Sequence, residues 1–210
     1  MNTRKNAMAQ SILLACALTV TACTGGASPP QPPESVSPSV EQSPSPTPSP
    51  SPTKPKYQPA TAKGPAKNVP KPEMPKLAKE HNEEGAIAFV KYYFDLVNYS
   101  LESRTVDDII KVTERSCQVC GDNLIDPIRI NGKQKYWQVA GKYSVKVNAV
   151  DNSERNTSDL LFTLTVEKTE IYSAPNELEA HGAAVTEPVS GIAYLSWDKD
   201  WKMSDMKFSG

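Results

Sequence analysis

Four cysteines and two histidines hold most of the reactive chemistry of this 210-residue sequence. Cys117-Gln118-Val119-Cys120 is a Cys-x-x-Cys pair. Such a pair closes as a disulfide in an oxidising compartment. It becomes a redox centre where a helix N-terminus depresses a thiol pKa. Ser116 reads as an N-cap and puts the pair at a helix start. However, a helical region precedes the motif and no strand feeds it, so the setting of thiol-redox folds is missing. The expectation is a structural Cys117–Cys120 disulfide at the junction of two helices. With only His81 and His181 to add, the chain is poor in ligands for a tetrahedral metal site, and neither a metal nor a cofactor is expected. No Gly-x-Ser-x-Gly and no phosphate-cradling glycine loop occur. Asp95 is the one carboxylate set among apolar helix neighbours. It leans to the polar side and reads as a surface group.

The remaining chemistry is at the N-terminus. Arg4 and Lys5 precede a mostly apolar run from Met8 to Val20, too short to span a bilayer and of signal-peptide type. It ends in Val20-Thr21-Ala22-Cys23. This resembles the bacterial lipobox: an aliphatic residue, a small residue, Ala or Gly, then Cys. The resemblance implies cleavage after residue 22 and a diacylglycerol thioether on Cys23. Two acyl chains suffice for stable membrane attachment. Residues 1–22 are then the signal peptide, and Cys16 leaves with it. The mature protein is expected on the extracytoplasmic face of the cell membrane.

The remainder of the chain must position these groups. Sixteen of the 19 prolines lie between Pro29 and Pro75. Proline lacks the N–H donor that helices and central strands need. Residues 23–79 are therefore expected as a disordered tether, extended by polyproline II in the Ser-Pro repeats from Ser43 to Pro52. Residues 80–210 remain for one small domain with one core. The formal net charge of −1 conceals an asymmetry: about +6 over residues 54–79 and −7 over residues 80–210. An acidic domain argues against nucleic-acid binding.

In the domain, Ala86, Phe89, Val90, Tyr93, Phe94 and Val97 recur at helical spacing and predict a long first helix over 85–98. Short helices are expected over 105–113 and from Cys117 past Pro127 to Ile130. The period then changes to two. Strands are expected from Tyr143, from Leu160 to Tyr172, over Val189–Trp197 and over Trp201–Phe208, with a loop over 173–183. A phase change at Ser204-Asp205 predicts a β-bulge. The fold class is α+β, with a long helix and two short ones on a four-stranded antiparallel curved sheet. This element order resembles the cone-shaped nuclear-transport-factor-2-like fold, with cystatin-like folds the neighbouring option. The stretch from Ala86 to Cys120, with its Phe-Val-Lys-Tyr-Tyr and Cys-x-x-Cys, resembles an uncharacterised lipoprotein family of high-GC Gram-positive bacteria. That family is built around a domain of unknown function, so the resemblance implies anchor and fold but no activity.

Tyr93, Trp137, Tyr143, Trp197 and Trp201 form the candidate pocket or interface set, since Tyr and Trp favour binding surfaces as well as cores. Three functions are compatible with these residues. The leading one is a non-enzymatic lipoprotein domain that binds an envelope protein or small ligand. The others are a small cone-fold enzyme of isomerase or hydrolase type and a thiol-redox accessory protein using Cys117 and Cys120.

Overall fold

The computed structural model describes residues 55–152 and 154–209. The expected signal peptide, Cys23 and the tether up to residue 54 lie outside the described residues. The chain is α+β, with two antiparallel sheets and a small number of helices.

Helix α1 (Glu83–Ser103) encloses the 85–98 periodicity. Asn82 caps it by accepting the Gly85 N–H at 2.8 Å. Glu83 and Glu84 in the first turn complement the helix dipole. The helix ends where Arg104 takes a left-handed conformation, φ 61°. Its apolar stripe buries Phe89, Tyr93, Phe94, Leu96 and Val97. The next expected helix is only a 3-10 turn, Ile109–Val112. It stops because Thr113 pairs with Met203 of the last strand instead. A third helical run comprises α2 (Gln118–Cys120), a π turn (Gly121–Ile125) and α3 (Asp126–Gln134). Pro127 falls in the first turn of α3, where its missing N–H costs nothing.

Seven strands come next, rather than the four read from the sequence: β1 (Trp137–Ala140), β2 (Tyr143–Asp151), β3 (Thr157–Val166), β4 (Thr169–Ala174), β5 (Glu177–Gly182), β6 (Val185–Asp198) and β7 (Asp200–Phe208). They form a three-stranded sheet, β1-β4-β5, and a four-stranded one, β2-β3-β6-β7. Each strand of the smaller sheet is continuous in sequence with one of the larger: β1 runs into β2, β3 into β4 and β5 into β6. Partners also carry across, since Ala140 pairs with Thr169 and Tyr143 with Val166. The two sheets are thus one antiparallel surface creased along a line through residues 141–142, 167–168 and 183–184. The segment expected as a loop over 173–183 is the β4–β5 hairpin. Ala174 pairs with Glu177 across Pro175-Asn176, and Asn176 supplies the positive φ of 64° that the turn needs. The register of β6 on β7 shifts between Tyr194 and Leu195, opposite Met203–Asp205, which is the bulge expected there.

The crease is a backbone device. Ala140 and Gly141 both have positive φ, 57° and 78°. A Cβ on Gly141 would lie 1.9 Å from Thr169 Oγ1 and 2.4 Å from Gln138 Nε2. Only glycine fits both constraints. The inner face of the larger sheet then closes on α1, burying Leu160, Phe162, Leu164, Ala193, Leu195, Trp201, Met203 and Met206.

The tether boundary at residue 79 needs correction. Residues 55–79 fold on themselves, Gln58 pairing with Lys67 and Thr61 with Gly64, and bond to the domain. Tyr57 donates its hydroxyl hydrogen to Glu102. Asn176 N–H donates to Ala62 O at 2.7 Å. Lys71 meets Asp108 at 2.7 Å, and hydrogen bonds from Lys71 and Lys111 hold that carboxyl below its ordinary pKa. Proline excludes this segment from sheets, not from packing.

Gly141→Ala is expected to destabilise the protein by about 2 kcal/mol or more, from left-handed strain plus overlap. Gly121→Ala, which meets nothing within 4 Å, is expected to be neutral or stabilising. Thermal melts of the two variants check the contrast, with a fall of roughly 4–8 °C expected for the first only.

Candidate functional site

The residues singled out from the sequence do not converge. Tyr93 is wholly buried in the core, with its hydroxyl 3.2 Å from Thr113 Oγ1. Burial pushes its pKa up to about 12. Trp201 is buried and donates its indole N–H to Glu80 O at 2.9 Å. Trp197 is half-buried and stacks on His81, rings 4.5 Å apart and 3° from parallel. His81, at the domain entry, is therefore part of an aromatic cluster with both tryptophans. Trp137, another of the candidate set, is buried. It stacks on Tyr172 and donates to Thr61 O at 2.8 Å. Tyr143 lines a cavity. Asp95 is exposed on α1, and partial desolvation raises its carboxyl pKa. His181 lies on β5 and is exposed.

Cys117 and Cys120 are disulfide-bonded, with Cα atoms 5.3 Å apart. Cys117 is 3% exposed and Cys120 is 0%. Thiol–disulfide exchange requires in-line attack on a sulfur; Cys120 is fully buried, and Cys117 meets only the edge of a cavity lined by Ile110, Thr113 and Arg129. The Cys117 Sγ also caps the helical run, accepting from Cys120 N–H at 3.3 Å. Ser116, expected in that role, is exposed outside it.

The cavity that Tyr143 lines opens on the crease. It has a volume of about 280 Å³. Val97 and Leu101 of α1 form one wall, Leu124 and Ile128 of the helical run a second, and Val166 and Ile171 flank the crease. Its polar lining is mostly carboxamide and hydroxyl: Asn123, Asn131, Gln138 and Thr169, with Glu167. Asn98 holds α1 to the sheet at this point. Its side chain accepts the Tyr143 N–H at 2.8 Å and donates to the Tyr143 O at 2.9 Å, completing the edge of β2 as a strand would. A second cavity, also about 280 Å³, shares Leu101, Gln138 and Gly141 with the first. Its far wall is the entry segment, Tyr57, Pro59 and Ala60. Burial and the Glu102 carboxylate together push the Tyr57 hydroxyl up to about 12.

Among the described residues no group of three or more His, Cys, Asp or Glu is placed to hold a metal ion. The lining residues were missed in the sequence because they are ordinary Leu, Val, Asn and Gln. Gly141 lies just ahead of the alternation that begins at Tyr143, outside the pattern that would have drawn attention to it.

Fold and cavity together define a small α+β domain in which a creased antiparallel sheet and one long helix enclose an apolar recess. The chain belongs to a family of unknown function, DUF6318, which it matches over residues 55–207. That span begins at the entry segment, in agreement with its packing. No curated protein matches the chain.

Native protein is expected to resist alkylation at Cys117 and Cys120 under mild reductant and to label at both only once denatured. Intact-mass measurement reads this directly. Replacing both by Ser is expected to cost about 2 kcal/mol, the entropy of closing a very short loop.

Proposed function

We propose that this chain is a lipid-anchored extracytoplasmic lipoprotein whose domain binds a small apolar ligand, or an apolar segment of an envelope partner, without catalysing a reaction. The observation that carries the binding reading is the lining of the cavity at the crease. Its walls are aliphatic and its polar groups are mainly amides and one Thr hydroxyl. Such groups orient a ligand and do not transfer protons at neutral pH. The two titratable side chains among them are Glu167 and Tyr143, and burial raises the Tyr143 pKa further from neutrality. With about 280 Å³ on each side of Leu101 and Gln138, the recess is at the small end of ligand pockets, roughly 300–1,000 Å³. The bent sheet against one long helix also supports the nuclear-transport-factor-2-like comparison. The buried disulfide weighs against the redox alternative.

The anchor reading rests on Val20-Thr21-Ala22-Cys23 and its flanks. On that reading the domain stands outside the membrane of a Gram-positive type envelope, with the Pro-rich segment before residue 55 as a spacer.

Two measurements test the halves separately. Native mass spectrometry of the protein from the envelope of producing cells is expected to show a bound species. Ala183→Trp, at an exposed position on the cavity rim, is expected to abolish it while circular dichroism stays unchanged. Equal adducts on both proteins, or none on either, would remove the cavity from consideration. For the anchor, Cys23→Ser is expected to eliminate incorporation of labelled fatty acid and to shift the protein to the soluble fraction.

A further inference from the structure

The two cavities beside the crease meet along one row of residues. On α1, Val97 and Leu101 are four residues apart and lie one above the other. Both line the crease cavity. Asn98 and Glu102, the adjacent row, line the second cavity and not the first. Leu101 lines both. The sheet side divides in the same way. Val139 and Lys142 line the second cavity, Thr169 and Ile171 the first, and Gln138 and Gly141 line both. The boundary closes where Asn98, on the second cavity, bonds both backbone groups of Tyr143, on the first. A septum therefore runs through Leu101, Gln138, Gly141 and the Asn98–Tyr143 pair.

Gly141 adds no side chain to this septum, and the Asn98 carboxamide is needed to hold α1 to β2. Leu101 and Gln138 supply the side-chain atoms that separate the two chambers. Gln138 is fixed in place. Its Nε2 donates to Ala140 O at 2.9 Å and to Gly141 O at 3.4 Å. These are the carbonyls of the two residues whose positive φ makes the crease. A Cβ on Gly141 would come within 2.4 Å of the same nitrogen. The amide is packed tightly against the bend, and the bend sets its position.

We propose, on the reading that the crease cavity is a ligand site, that Gln138 with Leu101 sets the length of ligand the recess takes: a single unbranched aliphatic chain that fills the crease chamber and stops at the septum. Val97, Leu124, Ile128, Val166 and Ile171 give that chamber aliphatic walls. Each methylene laid along them leaves water for apolar contact, a gain of about fourfold in affinity. The gain ends at the septum. Pushing Gln138 aside would leave Ala140 O and Gly141 O without their donor, a cost that a methylene does not recover. The second chamber would accept the same chain once the septum is thinned. Its walls include Pro59, Ala60 and Val139, and of its charged groups Glu102 is engaged by the Tyr57 hydroxyl and Lys142 is exposed.

Isothermal titration calorimetry reads this on the full chain carrying Cys23→Ser, so that no acyl anchor competes for the recess. The probes are n-alkanols of about four to about twelve carbons, a series chosen to bracket one chamber and both. With the septum intact, affinity is expected to rise about fourfold per methylene and then level off. Gln138→Ala is expected to move the levelling point by about two carbons or more, about a tenfold gain for the longest alkanols. Leu101→Ala, which thins the septum from the helix side, is expected to do the same and serves where the first variant fails to fold. Gln138→Leu loses the same two hydrogen bonds but keeps the bulk, and is expected to keep the native limit. A limit unmoved by both alanine variants overturns the proposal and leaves the cavity as a ligand site. So does a series with no levelling point, or a Gln138→Leu protein whose limit moves as far as that of Gln138→Ala. If no alkanol binds, or if Ala183→Trp leaves binding unchanged, the cavity is not the ligand site and the proposal falls with that reading.

Discussion

The crease in the sheet is the constraint on which the rest of this structure depends. Two successive positive φ angles at Ala140 and Gly141 turn the first long strand through a corner. Its neighbours must turn at the same level because their pairing continues on both sides of it. A flat sheet would meet α1 along its whole length and leave no recess. The creased one meets α1 chiefly along β2, with β1 still close to the helix beyond the bend. The Asn98 carboxamide, bonded to both backbone groups of Tyr143, fixes α1 to the sheet at the bend. The cavity is what remains between a straight helix and a bent sheet.

Much of the framework was legible in the sequence, for a simple reason. α1 and the four-stranded sheet each bury one face, so their apolar residues recur with period 3.6 or 2. The bulge at Ser204-Asp205 was legible on the same grounds, as a change of phase. The crease was not, because period reports which side a residue faces and is silent about the direction the strand takes. β5 was also hidden. Its residues Glu177 to Ala180 are all exposed, so no alternation marks it. The entry segment was hidden by composition. Its prolines preclude a sheet, yet two isolated bridges fold it on itself and a few hydrogen bonds are enough to lay it on the domain.

The aromatic residues show why residue type predicts a site poorly. Trp and Tyr were singled out because they suit binding surfaces, but a buried indole needs an acceptor for its N–H. Trp137 finds Thr61 O and Trp201 finds Glu80 O. Thr61 belongs to the entry segment, and Glu80 lies just before α1. The two tryptophans thus tie the entry segment and the start of α1 to opposite sheets. Their polar atoms are used in holding the fold, and the recess is left to aliphatic and amide side chains that carry no distinctive sequence signal.

The entry segment has a mechanical consequence. Its two antiparallel bridges form a narrow loop, with Gln58 opposite Lys67 and Thr61 opposite Gly64. Tension applied to the chain ahead of Pro55 reaches this loop before any strand of either sheet. Loaded from one end, such bridges peel in sequence and do not share the force. Tyr57, Pro59 and Ala60, which wall the second cavity, would come away first, while the disulfide-closed helical run and the sheets stay unstrained. One wall of the second cavity is thereby built from the segment that such a load would reach first.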